Sequence, residues 1–446
     1  MQLRRVEIMD ILSARDERAE LQRAMLEKHG RPLISYTLNI AGSIKLDEDV
    51  LCAYREGKKL IENVLVKNRF PTLDAREKIA FTGCECIWAV DAPAEEIKRR
   101  MCMIEEAEAI GRLLDIDVIG TDGCKIERSS PRKCLICDED VHICARSRRH
   151  SAEELFGRAK EIIRLYFEEK FIENTAQMAQ KALLSEALTT PKPGLVDCEN
   201  NGAHSDMDIF SFAASACALK EYFKKAVRIG MEMRYADARV CFECLQYEGI
   251  KAEEEMLRAS AGANTHKGAL FSMGILCCAA GMAGEGAELE TLASCAAALG
   301  GQSLQRMKNM PAASARTGGE LQYFASGYTG ARGEAAAGFP TVMNIALPAF
   351  RKALSEGKSC NDAGLSALCA LMHSVCDSNI LRRAGEEALS EVQSMSKSAL
   401  ERGADKETLR RMNDIFVERH VSPGGSADLL ALTYFLHEWE TNGNEE

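Results

Sequence analysis

The apolar pattern of this chain changes character at Ser151, and that change limits the possible folds more than any other feature. Before it, segments with helical spacing alternate with short β-rich runs such as residues 33–40 and 84–90. Beyond it, nearly every segment repeats apolar residues at i, i+3 and i+4, and no convincing strand pattern appears. We therefore predict an α/β N-terminal half and an all-α C-terminal half.

The length of 446 residues is more than a single domain usually needs. We place one domain at residues 1–165 and a second at 172–446, because the helical pattern between about 150 and 172 fits either half. Stretches rich in Pro and Gly are predicted to be loops, and they lie at residues 191–202, 318–338 and 422–426.

Charge and hydropathy limit the partners and the compartment. The net charge of -11 disfavours a general nucleic-acid or anionic-membrane binder, because both select basic surfaces. The start of the chain lacks the apolar core of a signal peptide, and the weakly apolar run at 268–284 is too short for a membrane span. That run predicts a buried helix. With 18 dispersed cysteines that should be reduced, we expect a cytoplasmic protein.

Two aspartates mark a candidate site in the first half. Asp115 and Asp117 stand in the alternating run 113–119, which predicts a strand. Residues i and i+2 of a strand face the same side, roughly 7 Å apart at Cα. Such carboxylates can hold Mg²⁺, as in many nucleotidyltransferases, and Arg112 just before them could receive a phosphate. The alternative is a pair of solvent-facing acids on an edge strand.

A cysteine-rich stretch follows the aspartates. Cys134 and Cys137 form one Cys-x-x-Cys pattern, with Cys144 and His150 downstream. These residue types suit a structural zinc ion, but a second closely spaced pair is missing, so the pattern alone does not favour zinc. The arginines of the same stretch could instead bind phosphates or an acidic partner protein; they are Arg146, Arg148 and Arg149.

Five polar clusters beside Gly- or Pro-rich turns interrupt the helical pattern of the second half. Their candidate site residues are Glu186 and Lys192; His204, Asp206 and Asp208; Asn264, His266 and Lys267; Arg332 and Glu334; and Arg383, Ser422 and Asp428. Gly-rich turns before helices present free backbone N–H groups to anions. Each cluster alone is explained as a cap or a loop, whereas together they predict one site assembled from several helix ends.

The charges within these clusters suggest two uses. The cations suit a triphosphate, and they are Lys192, Lys267, Arg332 and Arg383. Asp206 and Asp208, with His204, could bind Mg²⁺ near a helix start. Aspartates in that position also cap helices and complement the helix dipole, so both interpretations stay open.

Four stretches of the first half resemble the citrate lyase holo-acyl-carrier-protein synthase family, and they lie at residues 13–18, 37–40, 111–118 and 134–146. The likeness covers about residues 5–165 and departs at Ala41, where we would expect proline. The resemblance implies transfer of a phosphoribosyl-dephospho-CoA group to a serine of the acyl carrier (gamma) subunit of citrate lyase, with release of pyrophosphate. It also implies catalytic roles for Asp115 and Asp117.

The five clusters of the second half, in the same order, are similar to those of triphosphoribosyl-dephospho-CoA synthases. This resemblance implies ATP and 3′-dephospho-CoA as substrates: the ribose 2′-hydroxyl of dephospho-CoA attacks C1′ of ATP, adenine leaves, and the triphosphate is retained. Loss of adenine calls for a stabilising carboxylate and an acid, and the hydroxyl calls for a base. The catalytic candidates are Glu186, His204, Asp206 and Glu334. Fusions of both activities are known in this family.

Two other functions stay open at this stage. One half could be a docking module beside a single active half. Alternatively, the whole chain could be a non-catalytic scaffold for the carrier protein. The charged clusters and the retained aspartate pair disfavour the scaffold, because a scaffold has no need for charged loops between apolar helices.

Overall fold

The computed structural model describes residues 4–107, 109–128, 131–137 and 139–443. The chain forms two compact units, Met1–Lys170 and Phe171–Glu446. The elements of the first unit are α1 (Ile8–His29), β1 (Leu33–Leu38), α2 (Glu48–Lys67), β2 (Thr72–Ala80), β3 (Gly83–Val90), α3 (Ala94–Ala107), a short 3₁₀ helix (Ala109–Leu113), β4 (Leu114–Ile119), α4 (Val141–Ser147) and the start of α5 (Ala152–Leu188).

The four strands form one antiparallel sheet in the order β2-β3-β1-β4, so β4 lies at an edge. Alternation along the strands gives the sheet two different faces. On one face, Ile34 and Tyr36 belong to the core formed with α2 and α3. On the other face, Leu33 packs against Met25 of α1. The far end of this second face is polar and carries Thr37, Glu85 and Asp115.

Every regular element that the structure describes in the second unit is a helix. After α5 come α6 (Ile209–Glu232), α7 (Ala238–Ala259), α8 (Lys267–Ala283), α9 (Leu289–Asn309), α10 (Gly318–Ser326), α11 (Gly330–Ala336), α12 (Leu347–Ser355), α13 (Cys360–Ser374), α14 (Ser378–Glu401), α15 (Lys406–Glu418) and α16 (Gly424–Gly443). A helix-and-sheet first half and a helical second half are thus confirmed.

Helix α8 lies in the core of the second unit, as its apolar sequence predicts. Glycines let α6 approach it closely: a Cβ atom at Gly230 would stand 2.0 Å from the carbonyl oxygen of Cys278. Because the helix is fixed along its length, its first turn, with His266 and Lys267, has a defined position. Among the described helices, none is both long and apolar enough to cross a membrane.

The prediction of a loop at residues 318–338 was wrong. That stretch contains helices α10 and α11. The hydroxyl of Thr317 and the carboxylate of Glu320 exchange hydrogen bonds with backbone N–H groups, which is a complete capping box. The glycines of this stretch suggested a loop, but the Thr-x-x-Glu start signal was decisive.

Candidate active sites

A cavity of about 190 Å³ lies in the first unit, between α1 and the polar end of the sheet. Its lining comes from stretches remote in sequence: Arg15 and Arg18 of α1, Asn39 after β1, and Asp115 of β4. Lys45 also lines it, and burial together with the charge of Arg15 lowers the pKa of that lysine. Cations that are crowded in this way favour the binding of an anion.

Asp115 and Asp117 lie on the same side of β4, as the alternation predicts. One carboxylate oxygen of Asp115 is 3.7 Å from the Arg132 guanidinium, and the other accepts a 3.5 Å hydrogen bond from the Thr37 hydroxyl. The Lys125 ammonium lies 2.5 Å from Asp117. Partial burial and the neighbouring carboxylate of Asp117 raise the pKa of Asp115. Asp115 therefore contributes a proton-accepting group to a cavity rich in cations.

Arg112 is not among the residues that line this cavity. Its guanidinium donates a 2.5 Å hydrogen bond to the carbonyl oxygen of Cys134. The sulfur atoms of Cys134, Cys137 and Cys144 and a ring nitrogen of His150 all lie within 4.8 Å of one another. Arg112 thus supports the cysteine-rich loop, and its contact with a phosphate stays a prediction.

In the second unit, Glu186 and Lys192 form an ion pair whose side chains are only 4% and 1% exposed. The Lys192 ammonium also donates to the backbone carbonyl of Glu186 at 2.7 Å. Burial raises the pKa of Glu186, and the charge of Lys192 opposes this shift. Lys192 is enclosed as the partner of Glu186, so its contact with a triphosphate stays a prediction.

Carboxylates gather at the first turn of α8. Asp428 of α16 accepts a hydrogen bond from the backbone N–H of Ala269. Burial and the nearby carboxylates of Glu186 and Asp377 raise the pKa of Asp428 well above its ordinary value. Asp377 is itself buried and accepts a 2.9 Å hydrogen bond from the backbone N–H of Ser426. A carboxyl group with a raised pKa thus lies beside the first turn of α8.

His266, at the start of α8, has one nitrogen that no neighbour satisfies. Its Nδ1 lies 2.7 Å from the Ser215 hydroxyl, and its ring packs edge-on against Phe212. The buried Nε2 atom has no hydrogen-bond partner among the described residues. Burial and the charge of Lys192 lower the pKa of His266 to about 3, so the ring is neutral at physiological pH. Because buried polar atoms are nearly always paired, Nε2 is available to a bound ligand.

The second and fifth clusters meet at His204. Its Nε2 lies 2.8 Å from the hydroxyl of Ser422, and its Nδ1 lies 4.0 Å from the carboxylate of Asp206. Burial and the charge of Arg383 lower the pKa of His204. The structure therefore brings together residues that are more than two hundred positions apart.

Asp208 begins helix α6 as its N-cap. Its carboxylate accepts a 2.8 Å hydrogen bond from the backbone N–H of Ser211, whose hydroxyl accepts one from the Asp208 N–H. These hydrogen bonds lower the pKa of Asp208. Of the two interpretations that the sequence left open, the structure shows capping, and Mg²⁺ binding by Asp208 stays a prediction.

The remaining candidates form other contacts. Arg332 pairs with Glu320 at 3.0 Å, and Glu334 accepts a 2.5 Å hydrogen bond from the hydroxyl of Thr341. Lys267 forms an ion pair with Glu253, and Asn264 is exposed. None of these contacts joins Arg332 or Glu334 to the clusters around α8, so the prediction of a single site including them is untested.

Several residues of both sites were not identified from the sequence. Arg15 and Arg18 belong to the motif at residues 13–18, whose basic residues were an available signal. Lys45 carries no local signal, because only the folded chain brings it beside Arg15. Asp377 precedes Arg383 of the fifth cluster, and its burial against Ser426 was not visible from the pattern.

Comparison with known proteins assigns both units. The family model described as apo-citrate lyase phosphoribosyl-dephospho-CoA transferase matches residues 6–166. The one described as ATP:dephospho-CoA triphosphoribosyl transferase matches residues 172–446. Protein CitXG of Leuconostoc mesenteroides subsp. cremoris is 32% identical over 97% of both chains. Protein CitXG of Haemophilus influenzae is 31% identical over 98% of this chain and 97% of its own.

A shorter relative matches the second unit. The 2-(5''-triphosphoribosyl)-3'-dephosphocoenzyme-A synthase of Pectobacterium atrosepticum is 37% identical over 64% of this chain and 95% of its own. Two units that combine carboxylates with cations, each matched by a family of transferases, define the chain as a transferase enzyme. More particularly, it belongs to the family of fused CitX and CitG proteins, which build the prosthetic group of citrate lyase. The predicted family is confirmed.

Proposed function

We propose that the chain carries out two consecutive reactions, one in each unit. The domain at residues 172–446 converts ATP and 3′-dephospho-CoA to 2′-(5″-triphosphoribosyl)-3′-dephospho-CoA and adenine. The domain at residues 1–165, for which we propose a nucleotidyltransferase-like fold, transfers phosphoribosyl-dephospho-CoA to a serine of the citrate lyase acyl carrier protein and releases pyrophosphate. The match of both family models along one chain carries this proposal.

In the first reaction, the bond between C1′ and the adenine nitrogen breaks while the 2′-oxygen of dephospho-CoA bonds to C1′. Asp428 is our candidate for the acid that protonates the departing adenine, because a raised pKa favours the protonated carboxyl group. Glu186 is the candidate for stabilising positive charge at C1′, and Lys192 positions it. His204 is the candidate base for the 2′-hydroxyl, because its lowered pKa keeps it neutral.

The substrate phosphates need cations that are open to solvent. Arg383 is exposed next to His204, and Lys267 lies at the start of α8 with its side chain 43% exposed. Ser422 and the unpaired Nε2 of His266 offer neutral hydrogen-bonding groups for the same ligand. Four further residues are candidates for contacts that form when the substrates bind: Asp206, Asn264, Arg332 and Glu334.

In the second reaction, the serine hydroxyl of the carrier attacks the phosphorus nearest the ribose, and pyrophosphate leaves. Arg15, Arg18 and Lys45 are our candidates for holding the triphosphate. The charge of Arg15 acts on Lys45, whereas Arg18 is paired with Glu85 at 2.8 Å and would exchange that partner for a phosphate. Asp115 is the candidate for taking the proton of the serine, since its raised pKa makes it a better base than an ordinary aspartate.

Mg²⁺ fits the aspartates of the first unit. Asp115 and Asp117 present carboxylates on one side of β4, and burial together with the carboxylate of Asp117 raises the pKa of Asp115. These two residues would hold the ion, which when bound neutralises phosphate charge. The roles of metal ligand and base are alternatives for Asp115, because a carboxylate bound to a metal ion accepts a proton poorly. The fit is poorer in the second unit, because the carboxylate of Asp208 is already engaged in the α6 cap.

One incubation separates the candidate functions. The full chain is mixed with ATP, dephospho-CoA and the apo acyl carrier protein of citrate lyase, and adenine, pyrophosphate and the carrier mass are followed. We expect adenine without the carrier, and pyrophosphate only when the carrier is present. Adenine alone, even with carrier, would leave a single active unit beside a docking module. If neither adenine nor pyrophosphate is formed, the result would support the non-catalytic scaffold. The compartment that we propose is the cytoplasm.

A further inference from the structure

The first unit brings three cysteines and one histidine to a single point. The sulfur atoms of Cys134 and Cys144 are 3.5 Å apart, and a ring nitrogen of His150 lies 3.3 Å from the sulfur of Cys137. All four ligand atoms lie within 4.8 Å of one another. Tetrahedral zinc, with bonds of roughly 2.0 to 2.3 Å, separates its ligand atoms by about 3.5 to 3.8 Å. We propose that Cys134, Cys137, Cys144 and His150 bind one structural Zn²⁺ ion.

The sequence lacks a second closely spaced pair of ligands, and the fold supplies Cys144 and His150 in its place. Cys144 lies on the short helix α4. Arg148 then takes a φ of 46°, in the left-handed region that non-glycine residues rarely adopt. The reversal of the chain there returns His150 to the cysteines. Spacing alone could not reveal this arrangement, because it depends on where α4 ends.

The ligand set indicates both the metal and its role. Thiolate and imidazole ligands in a tetrahedron favour zinc over Mg²⁺ or Ca²⁺, which prefer oxygen ligands. Four protein ligands close the coordination sphere, which is typical of structural sites and leaves no position for a substrate. Two of the ligands, Cys134 and Cys144, are buried. A disulfide would join only two of the cysteines and would leave the convergence of the third cysteine and the histidine unexplained.

The surrounding loop needs such a crosslink. Among the described residues between 124 and 150, the buried apolar side chains are those of Cys134 and Cys144 themselves. Ile136 and Ile143 are 40% and 57% exposed. Segments with so little apolar burial are commonly held by a metal ion or disulfides. Without the ion, this loop would depend on polar contacts, such as the hydrogen bond from the Cys134 N–H to the carbonyl oxygen of Glu139.

The loop connects the proposed zinc site to Asp115. Arg132, two residues before Cys134, forms an ion pair with the buried carboxylate of Glu105 and lies 3.7 Å from Asp115. Glu105 in turn accepts a hydrogen bond from the backbone N–H of Ile116, beside Asp115 on β4. We therefore expect zinc to fix Arg132 against the catalytic strand. This part rests on the proposed transfer reaction, whereas zinc binding itself does not.

The test measures metal directly on the full chain, purified without chelators and without a histidine tag. Zinc per chain is determined by elemental analysis, and the reduced apoprotein is titrated with Co²⁺, whose spectrum reports tetrahedral thiolate ligands. The variants are Cys137→Ser and His150→Cys, and Cys124→Ser is the matched control because Cys124 is exposed and outside the cluster. Circular dichroism and adenine formation by the second unit check folding.

We expect about one zinc per chain in the parent and in Cys124→Ser, and at least about tenfold less in Cys137→Ser. His150→Cys keeps four ligands, so it should bind Co²⁺ with a stronger thiolate band. A reduced parent chain that binds neither zinc nor cobalt would overturn the proposal, as would a disulfide among the three cysteines in freshly purified protein. If the parent chain binds zinc and Cys137→Ser loses the zinc but still modifies the carrier at the parent rate, only the link to Arg132 would be overturned.

Discussion

The two units present their charged groups in opposite ways. In the first unit, Asp115 lines a cavity and its side chain is 48% exposed, with cations around it that also contact solvent. In the second unit, Lys192 is 1% exposed and its partner Glu186 is 4% exposed. The first site can exchange its ion pairs for substrate, whereas the second has built several of its charged groups into the helical core.

This difference decides what a substitution should do. At an exposed ion pair, solvent screens the charges, so removing one partner changes stability little and mainly affects function. At a buried pair, removing one partner leaves an uncompensated charge and threatens the fold. The same kind of experiment should therefore report catalysis in the first unit and both folding and catalysis in the second.

The largest effect is expected at Asp428. Asp428→Asn removes the proposed acid, so adenine formation should fall by about 10² to 10⁴-fold, the usual contribution of general acid catalysis. Asparagine keeps the size of the side chain and can still accept a hydrogen bond from Ala269. The matched control is Glu407→Gln, whose parent carboxylate is 82% exposed. Adenine formation within a few-fold of the parent would exclude Asp428 as the acid.

The stability of the same variant sharpens this result. Because the folded state raises the pKa of Asp428, it binds the proton more tightly than the unfolded chain does. Ionisation therefore costs stability as pH rises from about the ordinary value of 3.8 toward the folded value. Asp428→Asn should be at least as stable as the parent above that window, and its stability should depend less on pH. Melting temperatures across the pH range check this, and a variant that is less stable at neutral pH would contradict it.

Lys192→Ala should destabilise the second unit by about 3 to 5 kcal/mol, because it leaves the carboxylate of Glu186 buried without a partner. The control is Lys181→Ala, which removes an ion pair to Glu438 from a lysine that is 64% exposed and should cost at most about 1 kcal/mol. Calorimetry of the full chain measures the transition of the second unit.

A double variant separates charge from packing at this pair. Glu186→Gln with Lys192→Met removes both charges while keeping similar volume, so it should regain most of the stability that Lys192→Ala loses. It should remain inactive in adenine formation. Equal stabilities for Lys192→Ala and Lys181→Ala would show that burial of the pair has been overestimated.

In the first unit, Asp115→Asn should lower carrier modification by at least about 100-fold while leaving adenine formation and the melting temperature near those of the parent. Asp91→Asn is a close control, because Asp91 is 47% exposed and also pairs with an arginine. Pyrophosphate release from purified triphosphoribosyl-dephospho-CoA and carrier gives the rate. A large loss of stability in Asp115→Asn would contradict the expectation that substitutions at the first site affect catalysis and not folding.

The smallest effect is expected at Asp208. If it acts as the N-cap of α6, Asp208→Ser should keep both stability and adenine formation, because serine caps nearly as well. Asp208→Ala should lower the melting temperature slightly without changing the rate. If Asp208 instead holds Mg²⁺, both variants should lose activity together. Rates and melting temperatures of the two variants decide between these roles.

The sequence was informative where a local pattern determines the outcome. The alternation at residues 113–119 predicts β4 and the shared side of Asp115 and Asp117, and the apolar run at 268–284 predicts α8. The glycines of residues 318–338 wrongly predict a loop, because the capping box at Thr317 starts a helix there.

The parts that could not be predicted depend on contacts between distant segments. Lys45 and Arg15 line one cavity only because α1 packs against the sheet, and Asp428 has a raised pKa because it is buried near Glu186 and Asp377, which come from other segments. Zinc-type ligands converge only because α4 ends with a left-handed residue at Arg148. No spacing rule along the chain encodes such approaches, since each depends on the packing of whole elements.

The central claim is that each unit performs one of two consecutive reactions with its own residues. The most direct test is the mass of the carrier protein after incubation with ATP, dephospho-CoA and a mixture of the Asp428→Asn and Asp115→Asn chains. Each variant alone should leave the carrier unmodified, and the mixture should add phosphoribosyl-dephospho-CoA to it, because one variant makes the intermediate and the other transfers it. The contradicting result is an unmodified carrier in the mixture, although Asp428→Asn retains the transfer activity and Asp115→Asn retains adenine formation. Such a result would show that the two reactions are not separable steps joined by a released intermediate.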